Sequence, residues 1–102
     1  MSEFVKVAGV DEIKNGKMKS FSVNGSKLLI ANVDGKYYSM CSVCTHKGGP
    51  LEYGKLNGNI VTCPWHGAEF DVTNGKVLKG PAEKNEKKYE VKIQGNDILV
   101  KI

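Results

Sequence analysis

Cys44-Thr45-His46-Lys47-Gly48-Gly49-Pro50-Leu51 and Cys63-Pro64-Trp65-His66-Gly67-Ala68-Glu69-Phe70 hold both histidines of the chain and two of its three cysteines. Each segment pairs one thiol with one imidazole, across one residue in the first and two in the second. Cys and His are the side chains that hold soft or borderline transition metals. Gaps this short let both members of a pair reach from one loop. An inorganic centre held between two loops is the expectation.

Outward from these segments the chain reads as strands and tight turns. Asn24-Gly25, Asp34-Gly35, Asn57-Gly58 and Asn74-Gly75 are turn dipeptides, and Gln94-Gly95-Asn96-Asp97 is a fifth tight turn. Such pairs tolerate the positive φ that two-residue hairpins require. Between them lie short runs rich in β-branched and aromatic residues: 4–7, 19–23, 27–33, 36–40, 59–62, 69–72, 76–78, 88–93 and 97–102. In 88–93, Tyr89, Val91 and Ile93 alternate with Lys88, Glu90 and Lys92, the pattern of a half-buried strand. The best helical candidate is a single turn at Val10-Asp11-Glu12-Ile13. Short strands at this spacing predict an all-β fold, an antiparallel sandwich or barrel. From Cys41 to Gly58 the strand rhythm gives way to loop chemistry, and Lys79-Gly80-Pro81-Ala82 reads as a stiff third loop.

Composition narrows the class. The 102 residues suit one domain. Hydrophobic and charged fractions of 40% and 25% are those of a globular chain. No apolar run approaches the ~20 residues of a membrane span, and no leader is evident, so a cytoplasmic location without membrane association is expected. The formal net charge is +4, and all fifteen basic residues are Lys. Nucleic-acid readers rely on Arg forks. Lys84, Lys87 and Lys88 alternate with Glu83, Glu86 and Glu90, which describes a solvated face, so no nucleic-acid partner is expected. Three cysteines, an odd count, favour ligation over a disulfide framework.

Three readings of the Cys-His segments compete. One makes them ordinary core residues, which serves a single pair better than two. A second is a zinc ribbon on Cys41, Cys44, Cys63 and His66, with eighteen residues between its knuckles and His46 idle. A third uses Cys44, His46, Cys63 and His66 and leaves Cys41 aside. Two thiolates and two imidazoles suit a [2Fe–2S] cluster with unequally ligated irons.

Here the chain resembles a Rieske-type [2Fe–2S] ferredoxin. The Cys-x-His and Cys-x-x-His elements are both present, followed by Lys47-Gly48-Gly49-Pro50-Leu51 and Gly67-Ala68-Glu69-Phe70-Asp71, and Gly80-Pro81 is similar to the family's proline loop. The resemblance implies one domain over 1–102: an antiparallel β base, a cluster-binding subdomain inserted at about 41–70, and a proline loop at 79–82. It implies one cluster, with Cys44 and Cys63 on the buried iron and His46 and His66 on the outer one. Two neutral imidazoles in place of two thiolates make the cluster less negative and easier to reduce. The oxidised cluster with its two thiolates is neutral overall, so the protein stays at +4 and drops to +3 on reduction.

Departures from the family pattern are informative. Respiratory Rieske proteins carry a disulfide between the two cluster loops; the corresponding positions here are Gly49 and Trp65. The Ser and Tyr hydroxyls that donate to sulfur in those proteins correspond to Ala68 and Phe70. Without such donors the potential is expected in the lower part of the roughly −150 to +300 mV Rieske range. An oxygenase would need a further iron on two histidines and a carboxylate, and both histidines are taken. The resemblance therefore implies a soluble, monomeric one-electron carrier, not an enzyme, that passes electrons from a flavoprotein reductase to an oxygenase or other redox enzyme. The small subunit of a nitrite reductase is the alternative redox reading. Partners are expected at the His46/His66 tip, within an apolar collar of Pro50, Leu51, Trp65 and Pro81, with Lys47 and Lys55 steering an acidic surface.

Overall fold

The computed structural model describes residues 4–43, 50–65, 67–80 and 85–101. Within them the chain forms β1 (Phe4–Gly9), β2 (Met18–Val23), β3 (Ser26–Val33), β4 (Lys36–Cys41), β5 (Lys55–Asn57), β6 (Ile60–Thr62), β7 (Glu69–Asp71), β8 (Val77–Lys79), β9 (Lys88–Tyr89), β10 (Val91–Gln94) and β11 (Asp97–Lys101). Single 3-10 turns at Val10–Glu12 and Leu51–Tyr53 are the helical elements among the described residues. The first falls where one helical turn was expected.

These strands make three antiparallel sheets, ordered β1-β11-β10, β2-β3-β4-β9 and β5-β6-β7-β8. The middle strand β3 explains how they stack. Leu28, Leu29, Ile30 and Ala31 are all fully buried, an unbroken apolar run rather than an alternation. Successive strand side chains point to opposite faces, so each face has its own core. Leu28 and Ile30 pack with Ala8, Ile13, Tyr89, Ile98 and Val100 against the β1-β11-β10 sheet. Leu29 and Ala31 pack with Met40, Val61, Phe70 and Val72 against the small β5–β8 sheet. The β2-β3-β4-β9 sheet is thus the shared wall between a β-sandwich base and the small sheet.

The turn chemistry acts where it was read. Asn24-Gly25 and Asp34-Gly35 have positive φ at both residues, 49° and 82°, then 54° and 86°. They join β2 to β3 and β3 to β4 as two-residue hairpins, for which this geometry matches the strand twist. Asn74-Gly75 differs: β7 and β8 are joined by a longer loop organised by Asp71. The Asp71 carbonyl accepts from Gly75 N at 2.7 Å, and its carboxylate accepts from Thr73 N and Thr73 Oγ1 at 2.9 and 2.6 Å.

Two expectations are corrected. The run 88–93 is two strands: β9 pairs with β4 in the middle sheet, and β10 pairs with β11 in the outer one. Tyr89 and Val91 still face one core, but Ile93 lies on the edge strand with 45% of its surface exposed. The segment 41–58 is not all loop either, since it contains β5. A three-residue strand with one partly buried apolar residue, Leu56, leaves no periodic signal.

Candidate metal centre

Three loops open from the small sheet and its junction with the middle sheet. The first leaves β4 through Ser42 and returns through Leu51. Ser42 is fully buried; its N–H donates to Lys27 O at 2.9 Å, and its carbonyl accepts from Leu51 N at 3.0 Å. Val43 and Pro50 form an antiparallel bridge just inside. Cys44 and His46 lie between them, outside the described residues.

The second loop joins β6 to β7. The Thr62–Glu69 pairing continues one step, because Cys63 N donates to Ala68 O at 2.7 Å. Gly67 takes φ +76°, the left-handed region that favours glycine, and its N–H donates to Cys63 O at 3.3 Å. Of the four ligand candidates Cys63 alone is described; His66 lies outside, as does Pro81.

The third loop leaves β8 through Gly80. Its two limbs are tied by Val77 N donating to Asn85 Oδ1 at 2.9 Å and Glu86 N donating to Gly75 O at 2.7 Å. A Cβ on Gly75 would run into the Glu86 carbonyl, so only glycine lets the limbs approach this closely.

The roots of the first two loops meet in one apolar cluster. Leu51 closes the first, Cys63 and Ala68 flank the second, and Phe70 lies below. Cys63 keeps 4% of its surface exposed, and Leu51, Ala68 and Phe70 none. A thiol at a strand end, walled by apolar side chains, suits a thiolate ligand to a sheltered iron. Ala68 and Phe70 bring no hydroxyl to this wall.

Cys41 lies elsewhere. It pairs across β3 with Leu28 and packs against the base cluster, whereas its neighbour Met40 shares the cluster of Cys63. The middle sheet therefore separates Cys41 from Cys63, which removes the geometry that a zinc ribbon on Cys41, Cys44, Cys63 and His66 requires. The expected apolar collar is also corrected. Leu51 is fully buried as a core residue, while Trp65 is 49% exposed on the second loop and Tyr53 is 77% exposed beyond the first.

Polar groups brace the first loop. Glu52 Oε2 lies 2.7 Å from Lys27 Nζ, and Glu52 Oε1 accepts from Ser42 Oγ at 2.9 Å. Burial works against the Glu52 carboxylate, but hydrogen bonds from Lys27, the backbone and Ser42 outweigh it and hold the carboxyl below its ordinary range. The hydrogen bond to Glu52 raises Lys27 in turn. Nothing local in the sequence marks this trio, because its members are joined only by the approach of β3 to the turn after the first loop.

The sequence profile of the Rieske [2Fe-2S] domain matches residues 3–94, most of the chain. This protein belongs to the Rieske [2Fe-2S] domain family. The family's cofactor is one Rieske-type [2Fe–2S] cluster. The Rieske chain is 38% identical over 98 residues to a biphenyl dioxygenase ferredoxin subunit of Pseudomonas sp. (strain KKS102), covering 95% of this chain and 90% of that one. The ferredoxin of carbazole 1,9a-dioxygenase from Nocardioides aromaticivorans IC177 superposes with TM-score 0.92 at 29% identity, covering 97% of each chain. A chain in the complex of reduced oxygenase and oxidised ferredoxin in carbazole 1,9a-dioxygenase superposes with TM-score 0.90 at 26% identity, covering 95% of this chain and 91% of that one. Among the described residues no helix is long and apolar enough to cross a membrane.

Proposed function

We propose that this Rieske domain is a one-electron carrier that accepts electrons from a flavoprotein reductase and delivers them to an oxygenase. Its cluster is held by Cys44, His46, Cys63 and His66. The observation that carries this reading is the near full-length likeness to ferredoxin subunits of dioxygenase systems, one of them in complex with its oxygenase. When bound, the cluster supplies a reversible one-electron couple. The chain's residues do the rest. The burial of Cys63 with Leu51, Ala68 and Phe70 keeps water from the sulfur side. The closures at Val43–Pro50 and Cys63–Ala68 fix where the two loops start and end. Partners dock at His46 and His66, and Trp65, half exposed on the loop that carries His66, adds apolar contact. With both histidines assigned to the cluster, none is left for the mononuclear iron of an oxygenase, which needs two histidines and a carboxylate, and the chain serves as a carrier rather than an enzyme. It acts as a cytoplasmic monomer.

Metal content and substitution test this directly. The purified protein should be reddish-brown, with two irons and two acid-labile sulfides per chain. Cys44→Ser, Cys63→Ser, His46→Ala and His66→Ala should each abolish the cluster, and Cys41→Ser should leave it intact. A colourless protein with one zinc, or cluster loss on Cys41→Ser, would overturn the assignment. Electron delivery is tested by whether the protein restores turnover to a dioxygenase deprived of its own ferredoxin.

A further inference from the structure

Lys27, Ser42 and Glu52 form one unit that the cluster assignment does not use. Glu52 stands one residue beyond Leu51, which shares the apolar cluster of Cys63, and Ser42 stands two residues before Cys44. The Glu52 side chain is only 12% exposed and touches both partners, Ser42 at 2.9 Å and Lys27 at 2.7 Å. Ser42 also holds the loop through its own backbone, donating to Lys27 O and accepting from Leu51 N. One carboxylate thus links both ends of the first ligand loop to β3, and that loop carries Cys44 and His46.

We propose that Glu52 is a positioning residue for the first ligand loop and that its ion pair with Lys27 tunes the reduction potential of the cluster. This rests on the ligand assignment above. The electrostatic part follows from sign. Reduction adds one negative charge, so a positive charge nearby favours the reduced state and a negative one opposes it. In the pair the two effects largely cancel, and partial burial of Glu52 keeps solvent from screening them fully. Glu52 also has a mechanical part: its Ser42 bond needs only an acceptor, not a charge.

Those two parts respond to different substitutions. Glu52→Gln keeps an acceptor for Ser42 but leaves Lys27 unpaired, so the potential should rise. Lys27→Met leaves the carboxylate unpaired, so it should fall. The double variant should return towards the wild-type potential, and both single shifts should shrink at high ionic strength. Ser42→Ala removes a hydrogen bond without changing charge, so it should speed iron loss to a chelator while leaving the potential in place.

The test is a redox titration of each cluster-loaded variant, with the electron paramagnetic resonance of the reduced form as a check on ligation. Single variants that shift in the same direction, or not at all, would overturn the proposal. The Lys27 side chain is 40% exposed, so Lys27→Met opens no hole in a core, and the sign of its shift decides the electrostatic part even if Glu52→Gln fails to load. A wild-type protein without iron and sulfide would instead sink the ligand assignment, a distinct outcome.

Discussion

Gly54 shows how a single missing side chain sets the site. Its φ of −80° is open to any residue, yet a Cβ there would collide with the Thr62 carbonyl, one residue before Cys63. Gly54→Ala must displace the strand end that presents Cys63. It should cost about 1–3 kcal/mol, the usual range for overpacking, seen as a lower denaturant midpoint with an unchanged slope. Asp71 gives a second prediction. Burial favours its neutral form, but hydrogen bonds from the Thr73 hydroxyl and backbone and from Asn59 prevail and hold its carboxyl below the ordinary range. A lowered folded value means stability present above the unfolded pKa of about 3.9 and lost as pH falls through the folded one. Asp71→Asn should therefore cost about 1 kcal/mol at neutral pH. The gap to wild type should close only below about pH 4; a gap that persists in acid would show that its charge is not what stabilises the β7–β8 loop. Asp71 entered the sequence reading only as the end of the Gly67–Asp71 stretch, and neither of these roles was legible there. Gly54 was one glycine among twelve, and the carbonyl it accommodates is eight positions away in β6.

At the scale of elements, β3 divides the molecule's labour between its faces. Leu28→Ala opens a hole in the base core and Leu29→Ala one in the core of the small sheet. Each should cost about 2–5 kcal/mol. Leu29 shares the cluster of Cys63, so only Leu29→Ala should also speed cluster loss, measured as bleaching of the visible absorbance under chelator. Equal bleaching in Leu28→Ala would show that the faces are not independent. Most elements were legible: the ranges around 4–7, 19–23, 27–33 and 36–40 became β1 to β4 within one or two residues, because their hairpin signals and β-branched residues act locally. The division of 88–93 was not. Both halves keep the strand period, and the change of sheet at Glu90 is set by which neighbour each half meets: Met40 opposite Lys88, Val100 opposite Val91.

For the whole molecule the decisive quantity is the reduction potential. The apolar wall of Ala68 and Phe70 beside Cys63 offers no hydroxyl to stabilise the more negative reduced cluster. A potentiometric titration should place the potential in the lower part of the roughly −150 to +300 mV Rieske range. Ala68→Ser should raise it if the new hydroxyl reaches sulfur, and a wild-type value near the top of that range would refute the argument.

The sequence alone supplied the ligand candidates Cys44, His46, Cys63 and His66, the hairpins at Asn24-Gly25 and Asp34-Gly35, and side chains without a hydroxyl at positions 68 and 70, because each depends only on a residue's own chemistry or that of its chain neighbours. It left Cys41 ambiguous, as a ligand candidate three positions from Cys44. Only the tertiary structure decided that Cys41 faces the base core and Cys63 the small-sheet core, that Leu51 is interior, and that Lys27, Ser42 and Glu52 meet. Those outcomes depend on which face of the middle sheet each side chain takes and which layer covers that face. Residues far apart in the chain settle that jointly when the sheets stack.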